Sequence, residues 1–93
     1  MVKNSVVLIT GASTGLGKTI ALRLAREHVK FALVARNEDE LKKVAALCRK
    51  LGSDAEYFVC DIRDFTAVEK TVDVIVKRLG TVDILVNNAG IWL

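Results

Sequence analysis

The sequence is poor in several residue types that would otherwise guide its interpretation. It has no proline, two cysteines, one histidine and one tyrosine in 93 residues. Without proline, a low-complexity tract or a linker-like segment, nothing marks a domain boundary, so we expect part of a single domain. Cys48 and Cys60 lack a CxxC or Cys/His spacing. This isolation favours buried free thiols in a reducing, cytoplasmic compartment over a disulfide or a metal site.

Long hydrophobic runs are also missing. Although 52% of the residues are apolar, charges interrupt every stretch before the roughly 18 residues that a membrane span needs. The apolar run after Met1–Asn4 is too short for the core of a signal peptide, so we expect neither a membrane span nor secretion. The net charge of +3 is spread over segments that also carry acids, which is typical of solvated helix faces and argues against a nucleic-acid partner.

What the sequence does contain is four short apolar runs rich in β-branched and aromatic residues. They cover residues 6–9, 31–35, 57–60 and 82–86. Continuous runs of this kind are typical of parallel strands covered on both faces, and the segments between them have helical spacing. In the third such segment, one apolar stripe comprises Phe65, Val68, Val72, Ile75, Val76 and Leu79. The order βαβαβαβ predicts an α/β Rossmann fold, a doubly wound parallel sheet truncated after its fourth strand.

Residues that favour helix ends agree with this order. Asn37 is predicted to cap the second helix, with Glu40 three residues later as its capping-box partner. Asp64 is predicted to cap the third helix. Gly52 and Gly80 follow two predicted helix ends, where glycine is favoured.

A glycine-rich segment, Gly11-Ala12-Ser13-Thr14-Gly15-Leu16-Gly17, lies between the first strand and the first helix. Glycines there permit a tight turn and let a pyrophosphate approach the N–H groups at the helix N-terminus. An ordinary turn would hardly need three glycines within seven residues. The predicted cofactor-binding residues of this loop are Gly11, Ser13, Thr14, Gly15, Leu16 and Gly17. Gly17-Lys18-Thr19 lacks the glycine spacing of an ATP-binding P-loop, which disfavours ATP hydrolysis.

The end of the second strand indicates which dinucleotide is bound. An acid about 20 residues beyond the glycine loop would bind the ribose hydroxyls of NAD, whereas an arginine accepts the 2′-phosphate of NADP. The chain has Ala35-Arg36-Asn37 at this place. Arg36 and Asn37 are therefore predicted cofactor-binding residues, and NADP is the predicted cofactor, with NAD less favoured. A solvated loop arginine is the alternative interpretation of Arg36.

The glycine loop, followed by Asn87-Asn88-Ala89-Gly90 after the fourth strand, resembles the short-chain dehydrogenases/reductases. The resemblance runs from the first strand through Gly90, nearly the whole chain. It implies that Asn88, Ala89 and Gly90 line the floor beneath the adenosine ribose and the nicotinamide side, and that Asn87 braces the sheet. Taken alone, the segment would equally suit a polar strand end and turn.

The same resemblance implies roles for three further residues. Asp61 and Ile62, at the end of the third strand, would lie beside the adenine, with the carboxylate accepting the exocyclic amine. Local capping before the third helix is the alternative. His28 lies where the family usually has the glycine that closes the first helix, so we predict a left-handed cap without a catalytic role.

Cofactor choice is also addressed by the resemblance. It implies that the acid selecting NAD falls at the position of Ala35, and that Arg36 matches the basic position of NADP-preferring members. Some of those members carry a second basic residue just before the middle glycine, where this chain has Thr14.

The family's catalytic groups are a serine, an asparagine and a tyrosine followed four residues later by a lysine. The single tyrosine, Tyr57, is followed at that interval by Asp61, so no catalytic residue is predicted. Residues 1–93 are predicted to be the N-terminal portion of one NAD(P)-binding Rossmann domain, from an NADP-dependent enzyme that interconverts an alcohol and a carbonyl. The substrate and a homo-oligomer are expected only in the completed enzyme. The alternative is a non-catalytic dinucleotide-binding or interaction protein that arose by natural truncation.

Overall fold

The chain alternates strands and helices throughout residues 3–88, the part that the computed structural model describes. The elements are β1 (Val6–Thr10), α1 (Gly15–Leu24), β2 (Lys30–Ala35), α2 (Glu38–Lys50), β3 (Asp54–Val59), α3 (Phe65–Leu79) and β4 (Ile84–Asn87). A short 3-10 turn, Ala25–Glu27, follows α1. The predicted order of elements is confirmed, whereas the predictions for Ala89 and Gly90 concern positions outside the described residues.

The four strands form one parallel sheet in the order β3-β2-β1-β4. Val7 of β1 is in register with Phe31 of β2 on one side and with Ile84 of β4 on the other. The chain therefore proceeds outward from β1 to β3 and then returns to the opposite side of β1. This reversal confirms the doubly wound fold and places a crevice at the carboxyl ends of the strands.

Helices cover the two faces of the sheet unequally. Alternate residues of β1 and β2, including Ile9 and Phe31, pack with Ala21 of α1 and Leu41 of α2. The opposite face, which includes Leu8, packs against α3. Burying one such large aliphatic side chain contributes about 1.5–3 kcal/mol, so the face covered by two helices carries most of the core.

The predicted apolar stripe of α3 is only partly covered. Ile75 is fully buried against the sheet, and Val68 and Leu79 pack at the margin of the same core. Phe65, at the start of the helix, is 75% exposed, and Val72 and Val76 are also exposed. The stripe is therefore wider than the surface that residues 3–88 offer it.

The predicted N-caps of α2 and α3 are confirmed, whereas the Glu40 side chain contacts Lys43 and does not complete the predicted capping box among residues 3–88. Asn37 Oδ1 accepts a hydrogen bond from the Glu40 backbone N–H at 3.0 Å, and Asp64 Oδ1 accepts one from Ala67 at 3.1 Å. The Glu40 carboxylate contacts Lys43 Nζ at 3.4 Å. These interactions fix the first turns of α2 and α3, and with them the loops that precede both helices.

Three further sequence predictions concern His28, the two cysteines and a membrane span. His28 adopts a left-handed conformation with φ 57°, as predicted. Both cysteines are buried with free thiols. Within residues 3–88, no helix is long and apolar enough to cross a membrane.

Candidate functional site

The glycine loop leaves β1 through a turn that requires positive φ at two positions. Gly11 has φ 64° and Gly15 has φ 56°, values that other L-residues adopt only at a cost. A Cβ at Gly15 would meet nothing within 4 Å, so this side of the loop faces open space. Leu16 is also exposed there, while Ser13 is buried. The loop backbone is anchored at Ala12, whose N–H donates to the Val34 carbonyl oxygen of β2 at 3.2 Å.

Gly17 is required for close packing. A Cβ at this position would overlap the Gly11 carbonyl oxygen and would lie 2.9 Å from Asn88 Nδ2. The first turn of α1 therefore rests directly on the loop backbone and on the residue that follows β4. The three glycines thus have two different tasks, since Gly11 and Gly15 shape the turn and Gly17 lets the helix approach it.

The N-terminus of α1 is not capped by the protein in the way that the other helices are. Thr14 is its N-cap residue, yet the Thr14 side chain makes no capping hydrogen bond, and the first turn carries no acid. By contrast, Asn37 caps α2 and Asp64 caps α3. The first N–H groups of a helix lack intrahelical acceptors and carry partial positive charge. The α1 N-terminus is therefore suited to an anion, such as a pyrophosphate.

The end of β4 is tied to the glycine loop by three hydrogen bonds. Thr10 Oγ1 donates to Asn87 Oδ1 at 3.0 Å and accepts from the Asn88 N–H at 3.0 Å. Asn88 Nδ2 donates to the Gly11 carbonyl oxygen at 3.3 Å. The two asparagines therefore connect the strands on which the sheet order reverses.

The loops after β1, β2 and β3 surround one cleft of roughly 960 Å³. Its lining residues are Gly11, Ser13, Thr14, Ala35, Arg36, Asn37, Cys60, Asp61, Ile62 and Arg63. The cleft brings together seven of the predicted cofactor-binding residues from three separate segments. Gly15, Leu16 and Gly17 lie at the start of α1 just beyond the lining, and Asn88 lies behind Gly11. A volume of this size is at the upper end of the range typical for small-molecule sites.

Arg36 is the free cation of this cleft. Its side chain is exposed, and among residues 3–88 the guanidinium makes neither an ion pair nor a hydrogen bond. The adjacent Ala35 is buried and brings no charge to the lining. At the end of β2, the cleft is therefore lined by the positive charge of Arg36, and the strand residue before it carries no acid.

Asp61 is held by Arg63, a residue that the sequence analysis did not single out. The Arg63 guanidinium donates from Nη2 to Oδ2 at 2.8 Å and from Nε to Oδ1 at 3.0 Å, and the Arg63 backbone N–H donates to Oδ1 at 3.0 Å. These hydrogen bonds, and more weakly the charge of Arg36, hold the pKa of Asp61 below its usual range. The hydrogen bond with Asp61 and the negative charge of that carboxylate raise the pKa of Arg63. The sequence signal for this ion pair is the spacing of Arg63, two residues after the aspartate that follows β3.

Tyr57 and His28 lie away from this cleft. The Tyr57 hydroxyl is 3.4 Å from Glu38 Oε2, and both residues line a separate groove beside edge strand β3. His28 Nδ1 is 2.9 Å from the Gly52 carbonyl oxygen. Neither residue lines the cleft formed by the loops after β1, β2 and β3.

Comparison with known proteins identifies the arrangement. The short chain dehydrogenase family model matches residues 5–93. A fatty acyl-CoA reductase of Acinetobacter baylyi is 43% identical over 89 residues, which is 96% of this chain and 30% of that protein. Among solved structures, NAD+-bound xylitol dehydrogenase has a TM-score of 0.91 and 42% identity, with 96% of this chain and 34% of that chain covered.

A second solved structure is L-sorbose reductase from Gluconobacter frateurii in complex with NADPH and L-sorbose. It has a TM-score of 0.88 and 36% identity, and the match covers 97% of this chain and 35% of that chain. The chain thus spans about a third of the length of the proteins it matches. The matched residues, the sheet order and the glycine loop together show that the chain belongs to the short-chain dehydrogenase family of oxidoreductases.

Proposed function

We propose that this chain binds NADP(H) as the nucleotide-binding portion of a short-chain oxidoreductase that interconverts an alcohol and a carbonyl. The observation that carries the proposal is the end of β2. There, the unpaired Arg36 guanidinium borders the cleft, and the preceding position holds Ala35 instead of an acid. A 2′-phosphate at this place gains a charge-assisted contact and meets no repelling carboxylate from the strand.

The remaining parts of the cleft fit the rest of a dinucleotide. The uncapped N-terminus of α1 and the open side of Gly15 suit the pyrophosphate. Asp61 and Ile62 line the cleft at the end of β3, as a contact with adenine requires. The nicotinamide half would extend toward Asn88, which lies next to Gly11. Ala89 and Gly90 are included in this proposal from the sequence alone.

The similar structures show that one fold accommodates either cofactor, since xylitol dehydrogenase was solved with NAD+ and L-sorbose reductase with NADPH. Selection must then come from the side chains at the ribose. A hydrogen bond to a charged group contributes about 1.5–3 kcal/mol, which corresponds to roughly a 10- to 150-fold preference. Arg36 supplies the donor for such a contact.

The bound cofactor would supply the hydride, and the residues of this chain would bind and orient it. The sequence contains no Tyr-x-x-x-Lys pair, and Tyr57 lies in another groove. We therefore propose that the 93-residue chain binds cofactor without catalysing the reaction by itself. Substrate selection and homo-oligomer formation are assigned to the completed enzyme, in the cytoplasm.

Titration of NADPH and NADH by fluorescence tests the proposal. Arg36→Ala is expected to weaken NADPH binding by about one to two orders of magnitude and to leave NADH binding within a few fold. Arg26→Ala is the matched control, because Arg26 is exposed in the turn before β2, at the opposite end of that strand. Equal losses for both cofactors in Arg36→Ala, or no binding of either cofactor to the unmodified protein, would refute the proposal.

A further inference from the structure

The charged residues lining the cleft are two arginines, Arg36 and Arg63, and one acid, Asp61. Asp61 lies near both arginines, because the ends of β2 and β3 are neighbours at one edge of the sheet. Two cations and one anion leave one positive charge however they pair, so the pairing decides which arginine is free to contact the 2′-phosphate. The pairing is specific, because Arg63 binds Asp61 whereas Arg36 makes no ion pair among residues 3–88.

We propose that Arg63 is a positioning residue for cofactor selection, which neutralises Asp61 and so keeps Arg36 free for the 2′-phosphate of NADP. This inference rests on the proposed function. Arg63 acts through the two other residues and need not contact the phosphate itself.

The geometry of the pair supports this role. The guanidinium contacts both carboxylate oxygens, and the Arg63 backbone N–H binds one of them. A bidentate arginine separated from the acid by one residue has little chain entropy to lose on pairing. The Arg63 side chain is 75% exposed and that of Asp61 is 36% exposed, so the ion pair contributes little to folding stability. Its main effect is to neutralise the Asp61 carboxylate.

Arg36 is the second cation that acts on Asp61. Its charge contributes to the lowered pKa of that carboxyl, after the larger contributions of Arg63. Without Arg63, the Asp61 carboxylate would attract Arg36 and would also repel an incoming phosphate. Both effects weaken NADPH binding and leave NADH, which lacks the 2′-phosphate, nearly unaffected.

Three variants of the intact protein test the inference, with the ratio of the dissociation constants for NADPH and NADH as the readout. Arg63→Gln removes the charge and should reduce the preference for NADPH by roughly three- to tenfold, as expected for one newly unpaired carboxylate near a phosphate. Asp61→Asn removes the carboxylate that could pair with Arg36, and an adenine contact is common to both cofactors, so the preference for NADPH should be retained or increased. In the Asp61→Asn background, Arg63→Gln should lower the preference much less, because no carboxylate remains to draw Arg36 away from the phosphate.

The outcomes separate this inference from the proposed function. An equal loss of NADPH preference from Arg63→Gln with Asp61 or with Asn at position 61 would mean that Arg63 acts on the phosphate itself, by contact or by its own charge, and would overturn the positioning role. An unchanged preference in Arg63→Gln, together with a lost preference in Arg36→Ala, would refute the inference and leave the proposed function standing. Arg26→Gln, which removes the same charge away from the cleft, should have no effect on the ratio.

Discussion

The Asn88 side chain donates to the Gly11 carbonyl oxygen at 3.3 Å, so the residue after β4 holds the first glycine of the loop after β1. Gly17 completes this contact, because a Cβ there would overlap the same carbonyl and approach Asn88 Nδ2 to 2.9 Å. The glycine loop and the asparagines at the end of β4, which suggested the family, therefore pack against each other. A substitution in either segment should displace residues of the other.

Gly17→Ala is expected to destabilise the protein by up to about 3 kcal/mol, because overpacking must displace backbone that has no flexible side chain to yield. Dinucleotide affinity should fall with it, since the loop carries the α1 N-terminus. Urea denaturation and cofactor titration measure the two effects. Gly15→Ala is the control, since a Cβ there meets nothing within 4 Å and costs only about 1 kcal/mol for the left-handed backbone. Equal losses of stability in the two variants would contradict the overlap at Gly17.

Ala35→Asp should reverse the cofactor preference. A carboxylate at this buried position in the cleft would repel a 2′-phosphate and accept hydrogen bonds from ribose hydroxyls. We expect NADPH affinity to fall by roughly 10- to 100-fold, as for the loss of a charge-assisted contact, with a smaller change for NADH. Ala35→Asn is nearly isosteric with the aspartate and uncharged. The explanation by charge is wrong if both variants lose the same NADPH affinity in equilibrium titrations.

Cys48 gives a pH-dependent contribution to stability. Burial raises the pKa of its thiol to about 11, against the opposing effect of neighbouring Arg49. The folded protein therefore keeps a proton that the unfolded chain loses at lower pH, so this contribution is fully present below the unfolded pKa and declines as pH rises toward 11. Between pH 8 and about 11, the free energy of unfolding should decline less steeply with pH for Cys48→Ala than for the unmodified protein. Parallel declines would show that Cys48 keeps an ordinary pKa.

Ser53 links the end of the first helical segment to the start of β2. Its buried hydroxyl donates to the Ala25 carbonyl oxygen at 2.6 Å and accepts from the Val29 N–H at 3.0 Å. Ser53→Ala leaves both backbone groups unsatisfied and should cost about 1–3 kcal/mol in the free energy of unfolding. Ser5→Ala removes a half-buried hydroxyl that makes no hydrogen bond within residues 3–88 and should cost much less. Comparable losses would show that the Ser53 bonds contribute no net stability.

The sequence predicted those parts of the fold whose causes are local. Continuous apolar runs located β1 and β2 within a residue at each end, and Asn37 and Asp64 fixed the starts of two helices. Because parallel strands end at one edge of the sheet, the predicted cofactor-binding residues that follow three strands lie together in the cleft. The sequence pattern predicted a doubly wound sheet, and the order β3-β2-β1-β4 comes from the structure.

The edge strands were less predictable. β3 begins at Asp54, three residues before the predicted start, because an outer strand alternates polar residues such as Glu56 with buried ones. β4 begins at Ile84 instead of Val82. Here, Asp83 Oδ2 accepts the Val6 N–H at 2.7 Å, and the Asp83 N–H donates to the Val6 carbonyl oxygen. These edges depend on contacts between distant segments, which a hydrophobic pattern does not contain.

The 93-residue chain, expressed by itself, should self-associate. In the described part of the chain, the outer edge of β4 pairs with no strand, and Leu85 on that strand is 61% exposed. Phe65 of α3 is 75% exposed. An unpaired apolar edge invites pairing with a second copy, so sedimentation velocity should show species that grow with concentration. Leu85→Lys should increase the monomer fraction, whereas Ala46→Lys, which adds the same charge at an exposed position of α2, should change it much less. A monomer at every concentration, or equal effects of the two lysines, would show that the β4 edge does not drive association.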